Sequence, residues 1–176
     1  AAVSQSYYNR YAPGRRWGTF YAFGLGWDIS NEHFMKDVKW LNQLKIRGVY
    51  GKTGNGINNA GYYTYYQTYS SGGDDYRLGT DLKNSSGSFS EKDKLANPFQ
   101  TWEKGNKLNV GVDIALFNNR LQITADYFND KYYDLLQGRG KTIELIGQGY
   151  PNENIAKERW FGGELSITYQ DRVGDF

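Results

Sequence analysis

The chain has 176 residues, and its 21 Lys and Arg against 19 Asp and Glu leave a net charge of +2. That balance gives no electrostatic case for a nucleic-acid partner, which calls for a clustered basic face, or for a polybasic membrane-surface segment. The absence of Cys excludes disulfides and thiolate chemistry.

Aromatic residues make up 17%, led by 16 Tyr, and there are 22 Gly but only 3 Pro. Such a composition suits a β-rich fold with aromatic belts. The mean hydropathy of −0.75 does not argue against a membrane barrel, because lipid meets only alternate strand residues and the outer loops are polar. No run of roughly 18 apolar residues is present, so no transmembrane helix is expected. Ala1-Ala2-Val3-Ser4 lacks a basic region followed by an apolar stretch, so no signal peptide is visible in this piece.

In chain order, a first strand is expected over residues 3–8, followed by a polar, Gly-containing connection over 9–15. Residues 17–29 alternate with period two. Trp17, Thr19, Tyr21, Phe23, Leu25, Trp27 and Ile29 share one face, and Gly18, Phe20, Ala22, Gly24, Gly26 and Asp28 share the other. Within 30–39, Ser30 is positioned to cap a short helix with His33 in its first turn. A strand over 41–52 follows, then a long connection, 54–97, whose Tyr-rich patch is compatible with extra strand.

Residues 103–116 put Leu108, Val110, Val112, Ile114 and Leu116 on one face and Lys107, Asn109, Gly111, Asp113 and Ala115 on the other. Asn118-Asn119 then suits a two-residue hairpin turn, since Asn tolerates positive φ. That turn pairs Leu116 with Leu121, Ile114 with Ile123, Val112 with Ala125 and Val110 with Tyr127. On the opposite face it pairs Ala115 with Gln122, Asp113 with Thr124 and Lys107 with Asp130. A one-residue slip would mix every pair, so the register is well specified. A polar connection over 137–155 leads to a last strand, 157–170, with Phe161, Leu165, Ile167 and Tyr169 opposite Glu164, Ser166, Thr168 and Gln170.

Residues 103–116 are fourteen in number, which at ~3.3 Å each and a tilt near 45° is roughly 33 Å of height, enough to cross a bilayer core. Long strands with short turns at one end and long loops at the other form the pattern of an outer-membrane barrel. Period two does not say which face meets lipid. A soluble β-barrel or sandwich that binds glycans would turn the same face inward, and that alternative stays open.

Several segments resemble the late barrel of the SusC/RagA family of TonB-dependent outer-membrane transporters. They are Arg16-Trp17-Gly18-Thr19-Phe20 through Gly26-Trp27-Asp28-Ile29-Ser30; Phe34-Met35-Lys36-Asp37-Val38-Lys39-Trp40-Leu41-Asn42-Gln43-Leu44-Lys45-Ile46-Arg47; and Tyr50-Gly51-Lys52-Thr53-Gly54-Asn55. Then come Asn97-Pro98 with Trp102-Glu103-Lys104, Leu116-Phe117-Asn118-Asn119-Arg120-Leu121, Asp126-Tyr127-Phe128-Asn129 with Asp134-Leu135-Leu136, and Gly163-Glu164-Leu165. Single motifs are weak, but the ordered set covers most of 16–170. Ala156 and Trp160-Phe161 depart from the Gly and Asn that the family favours there.

The resemblance implies an all-β, antiparallel up-and-down transmembrane barrel of about 22 strands, of which residues 1–176 supply about six. The family's plug and N-terminal extension are expected outside this piece. It also implies a bacterial outer-membrane location in a Bacteroidetes-type cell, contact with bilayer and lipopolysaccharide, a SusD-like surface lipoprotein, and TonB acting through the missing N-terminal part. The expected cargo is oligosaccharide or peptide, with no cofactor and no enzymatic step. Asn118-Asn119 and 30–39 would be periplasmic, and 54–97 and 137–155 extracellular.

Tyr62, Tyr63, Tyr65, Tyr66, Tyr69 and Tyr76 are candidate substrate contacts, because Tyr offers a flat apolar face and a hydroxyl. The same run also reads as an extended segment with an aromatic girdle. Trp17, Trp27 and Trp40 read as membrane-interface anchors. Lys45, Arg47, Lys107, Asp113, Asp126 and Glu164 would face a wet lumen or a plug. Gly51-Lys52-Thr53 is not a phosphate loop, because Ile46 stands where the leading Gly is required. His33, the only His, lacks partners for a metal site or triad and reads as a turn residue. Asp74-Asp75 and Asp81 lack calcium-loop spacing, and Asn84-Ser85-Ser86 is a chance sequon.

Overall fold

A computed structural model of the chain describes residues 1–56, 61–71, 76–78, 84–86, 89–91, 94–140 and 149–171. In chain order the strands are β1 (Ala2–Tyr7), β2 (Trp17–Asp28), β3 (Leu41–Asn55), β4 (Tyr69–Ser71), β5 (Tyr76–Leu78), β6 (Asn84–Ser86), β7 (Phe89–Glu91), β8 (Glu103–Leu116), β9 (Leu121–Gln137) and β10 (Glu153–Tyr169). Among the described residues, six strands form one antiparallel sheet in the order β1-β2-β3-β8-β9-β10. Each strand pairs with its neighbour in sequence once the two short ladders β4–β7 and β5–β6 are set aside. This is an up-and-down meander with no crossover.

The hairpin β8–β9 has the register expected from its hydrophobic pattern. Leu116 pairs with Leu121, Ile114 with Ile123, Val112 with Ala125, Val110 with Tyr127 and Lys107 with Asp130. Asn118 (φ 57°) and Asn119 (φ 65°) are both left-handed, and the Arg120 amide donates to the Phe117 carbonyl at 3.3 Å. Positive φ at both central positions matches the right-handed twist of the strands it joins. The turn is tied to its neighbours, because the Phe117 amide donates to the Trp40 carbonyl at 2.9 Å and the Gln170 amide to the Arg120 carbonyl at 2.8 Å.

Three expectations need correction. Ser30 does not cap a helix. Two 3-10 turns, Ile29–Asn31 and His33–Met35, follow Asp28 and Glu32, and Ser30 Oγ instead donates to Asp28 at 2.5 Å. The last strand starts at Glu153, because bulges between Asn154 and Glu158 break period two where the sequence would show it. Tyr62–Tyr66 is not strand; it contains a turn closed by the Tyr66 amide on the Tyr63 carbonyl at 3.0 Å. Asp74, Asp75 and Asp81 lie outside the described residues.

The sheet has no conventional core. Among the described residues the buried apolar side chains are Tyr11, Trp102 and Ala115. Leu25 is 85% exposed and Val110 43%, on a face where a soluble sandwich would bury both. Opposite rows pair large residues with glycine. A Cβ on Gly105 would lie 2.8 Å from Tyr132 Cδ1, one on Gly111 2.6 Å from Arg47 Cζ, and one on Gly162 3.0 Å from Phe128 Cζ. Each pair is cross-strand, so the large side chain lies flat over the vacancy and fixes register as well as filling space.

Candidate functional site

The register sorts side chains into two faces. One row runs Trp27, Ile46, Val112, Ala125, Leu165, and the next runs Leu44, Ile114, Ile123, Ile167. On the opposite face one row runs Gly26, Arg47, Gly111, Asp126, Glu164, and its neighbour brings Asp28, Lys45 and Asp113 into line. The six charges singled out from the sequence therefore share the face that the aliphatic side chains avoid.

Arg47 organises that charged face. Its Nε lies 3.1 Å from Asp113 Oδ2 and its Nη2 2.6 Å from Asp126 Oδ2, while Nη1 donates to Asn109 Oδ1 at 3.4 Å. The guanidinium fork suits two carboxylates at once, and Gly111 leaves the room it needs. Asp126 Oδ1 is buried with no partner among the described residues. Lys107 pairs with Asp130 at 3.2 Å and lies over the Tyr132 ring.

Trp17 meets Tyr7 edge to face at 4.9 Å, and Trp27 Nε1 donates to Glu32 at 2.8 Å. Trp17, Trp27 and Trp40 all present large exposed rings. Ten residues separate Trp17 from Trp27 along β2, about 33 Å of strand, or ~24 Å of height at a tilt near 45°, which matches the apolar band of a membrane barrel.

Beyond the Trp17 end lies a cleft of about 530 Å³, with Tyr62, Tyr63, Tyr66, Lys94, Asn97 and Gln100 among its lining. Thr64 donates to Gln100, the Asn97 amide to the Thr64 carbonyl at 2.8 Å and the Ala96 amide to Gln67 at 3.0 Å. These bonds join one wall to the other. Asn97 Nδ2 donates to the Asn152 carbonyl at 2.7 Å. Asn154 clamps the same wall to the sheet rim through Thr101 N (2.9 Å), Thr101 O (3.0 Å) and Asp134 O (2.6 Å). Lys94 is the one charged residue among the described lining, and the hydrogen bond with Tyr65 holds the Tyr66 hydroxyl above the ordinary tyrosine range.

Beside these walls sits an aromatic cluster in which Tyr11 and Phe20 meet Trp102 at 5.9 and 5.4 Å. Tyr11 is 2% exposed and its hydroxyl donates to the Gly56 carbonyl at 3.3 Å.

Of the tyrosine candidates, Tyr62, Tyr63 and Tyr66 line the cleft. Tyr65 turns to Arg16, whose Nη2 donates to its hydroxyl at 3.4 Å. Tyr69 and Tyr76 open the short strands β4 and β5. The sequence reading did not single out Asn97, Gln100, Asn154 or Tyr11. Asn97 and Trp102 carried a signal only as parts of the family-like motifs.

A family model described as TonB dependent receptor-like, beta-barrel, matches residues 1–176. The chain belongs to that family. Relatives include a TonB-dependent receptor of Formosa agariphila, 33% identical over 96% of this chain and 15% of the relative. The TonB-dependent receptor SusC of Bacteroides thetaiotaomicron is 30% identical over 91% of this chain and 16% of SusC. Among solved structures, a chain of the RagAB peptide importer in its closed-closed state superposes with a TM-score of 0.73 at 25% identity, over 97% of this chain and 18% of that one. The chain thus spans about 15% of the length of the relatives it matches. The open six-stranded meander is part of the wall of a TonB-dependent receptor β-barrel.

Proposed function

We propose that this chain forms wall and outer loops of an importer in the bacterial outer membrane. The importer works with a SusD-like lipoprotein at the surface and is energised by TonB through parts of the protein outside this chain. The observation that carries the reading is the pair of unlike faces on long strands. Leu25, Val110, Leu165 and Ile167 stand exposed on one side, while the Arg47 ion pairs occupy the other. An uncovered apolar face of this extent calls for a nonaqueous partner, and acyl chains supply it.

On this reading Lys45, Arg47, Lys107, Asp113, Asp126 and Glu164 face the lumen, and Trp17, Trp27 and Trp40 sit at the two membrane interfaces. Tyr62, Tyr63 and Tyr66 line an extracellular cleft that contacts cargo, oligosaccharide or peptide. Tyr65 packs against Tyr66 and accepts from Arg16, and Tyr69 and Tyr76 open β4 and β5 later in the same loop. The role is carriage without bond-making.

The test uses the intact receptor. It should enter the outer-membrane fraction, require detergent for release, and retain a surface lipoprotein on purification. Cells should accumulate a labelled oligosaccharide or peptide only when TonB is present. Release into buffer by osmotic shock would support the soluble glycan-binding alternative, and uptake independent of TonB would contradict the energised mechanism.

A further inference from the structure

The strand carboxylates gather on one face, where Lys45, Arg47 and Lys107 stand among them. Asp28, Asp113, Asp126, Asp130 and Glu164 all take the Arg47 face. On the apolar face, above Leu108 and Val110, the register instead brings cations together: Lys52 pairs with Asn106, Asn106 with Lys131, and Lys131 with Arg159. The nearby Lys104 is neutralised by Asp134 at 2.8 Å. Lys52, Lys131 and Arg159 make no ion pair among the described residues. Lys131 and Arg159 sit directly opposite each other, about 5 Å apart at Cβ, an arrangement that is destabilising for like charges unless an anion bridges them. Arg159 also spends one donor on Asn129 at 3.0 Å and lies 5.0 Å over the Phe161 ring. Its guanidinium is thereby held at the top of the apolar band.

The height of the strip follows from the same ladders. The lower edge of the apolar band is marked by Trp27 on β2 and by Tyr169 on β10. The row through Trp27 reaches β10 at Leu165, four residues short of Tyr169. A four-residue offset over four strand intervals is about 13 Å along the strand for ~19 Å across it, a tilt near 35°, as in membrane barrels. The same offset carries the upper marker Trp17 on β2 to Arg159 on β10. Lys131 and Arg159 thus lie level with the upper interface. Lys52, three strands away in the same row, lies about 8 Å deeper and reaches toward it by extending its stem.

We propose that Lys52, Lys131 and Arg159 form a docking strip for the phosphorylated headgroup of an outer-leaflet glycolipid. This rests on the transport reading only in requiring that the apolar face meet the outer leaflet. Phosphate oxygens would bridge Lys131 and Arg159, and the acyl chains would lie over Val110, Tyr127 and Leu165.

The test is native mass spectrometry of the intact receptor in detergent, titrated with lipid A and with enzymatically dephosphorylated lipid A. Lipid A should bind about tenfold or more tightly than its dephosphorylated form, since two charge-assisted hydrogen bonds are at stake. The double variant Lys131→Gln/Arg159→Gln should lose that difference, whereas Lys104→Gln, already paired, should keep it. Inorganic phosphate at millimolar concentration should not displace the lipid. Equal binding of the two lipids by the unaltered receptor overturns the proposal, a comparison that needs no variant to fold. A variant that retains the preference also overturns it. Absence of the receptor from the outer membrane is a separate result and would sink the transport reading itself.

Discussion

Replacing Val110 with Arg is the sharpest perturbation of the apolar face. Val110 lies six residues from Lys104 and six from Leu116 along β8, about 20 Å of strand each way, or ~15 Å of height at a tilt near 40°. It therefore stands near mid-bilayer, half of a core about 30 Å thick. Arg there costs roughly 2–4 kcal/mol, a ~30- to ~900-fold loss in folding equilibrium, and the cost falls to ~0–1 kcal/mol near an interface. Asn106→Arg, two outward positions nearer the Lys104 end of the same strand, should cost distinctly less. The assay is urea-dependent folding of the intact receptor into lipid vesicles, read as the heat-modifiable fraction on a gel. A flat cost from Asn106 to Val110 to Leu116 would refute the depth argument. A comparable penalty at Asn109, on the opposite face, would refute the facing argument.

Three further outcomes follow from particular contacts. Arg47→Met should lower the urea midpoint by leaving Asp113 and Asp126 unpaired, and adding Asp113→Asn and Asp126→Asn should restore much of the loss. Gly105→Val should cost about 1–3 kcal/mol because its Cβ would press on Tyr132, and Tyr132→Ala should relieve part of that in the same titration. Asn119→Val places a β-branched residue at a φ of 65° and should cost ~1–2 kcal/mol, whereas Asn119→Gly should fold at least as well; refolding yield separates the two.

The strands were legible where alternation is uninterrupted. Val110 to Leu116 and Leu121 to Tyr127 specify both register and turn, because aliphatic residues recur at every second place and Asn-Asn tolerates the left-handed backbone at the centre of the turn, which Phe117 before it also adopts. The start of β10 was hidden, because bulges before Glu158 put consecutive residues out of phase. Tyr62–Tyr66 carried the composition of a strand, but a turn and the Arg16 hydrogen bond hold it otherwise.

Alternation alone puts Lys45, Arg47, Lys107, Asp113, Asp126 and Glu164 on a common face, and the strand register agrees. The grip of Arg47 on Asp126 was not readable, because it needs β3, β8 and β9 side by side across 79 positions of sequence. The cleft was equally hidden. Asn97 reaches Asn152 across 55 positions, and no local pattern announces that bond.

Period two also leaves open which face meets lipid, and that orientation is the claim most directly open to measurement. The chain has no Cys, so, with any cysteine elsewhere in the receptor replaced, single spin labels can be carried along β8 at residues 109, 110, 112, 113 and 114 through substitutions such as Val110→Cys. In bilayers, labels at 110, 112 and 114 should relax strongly with oxygen and weakly with a water-soluble nickel chelate, and those at 109 and 113 should not share that signature. The opposite phase, or all five positions alike in their shielding from both reagents, would contradict the account.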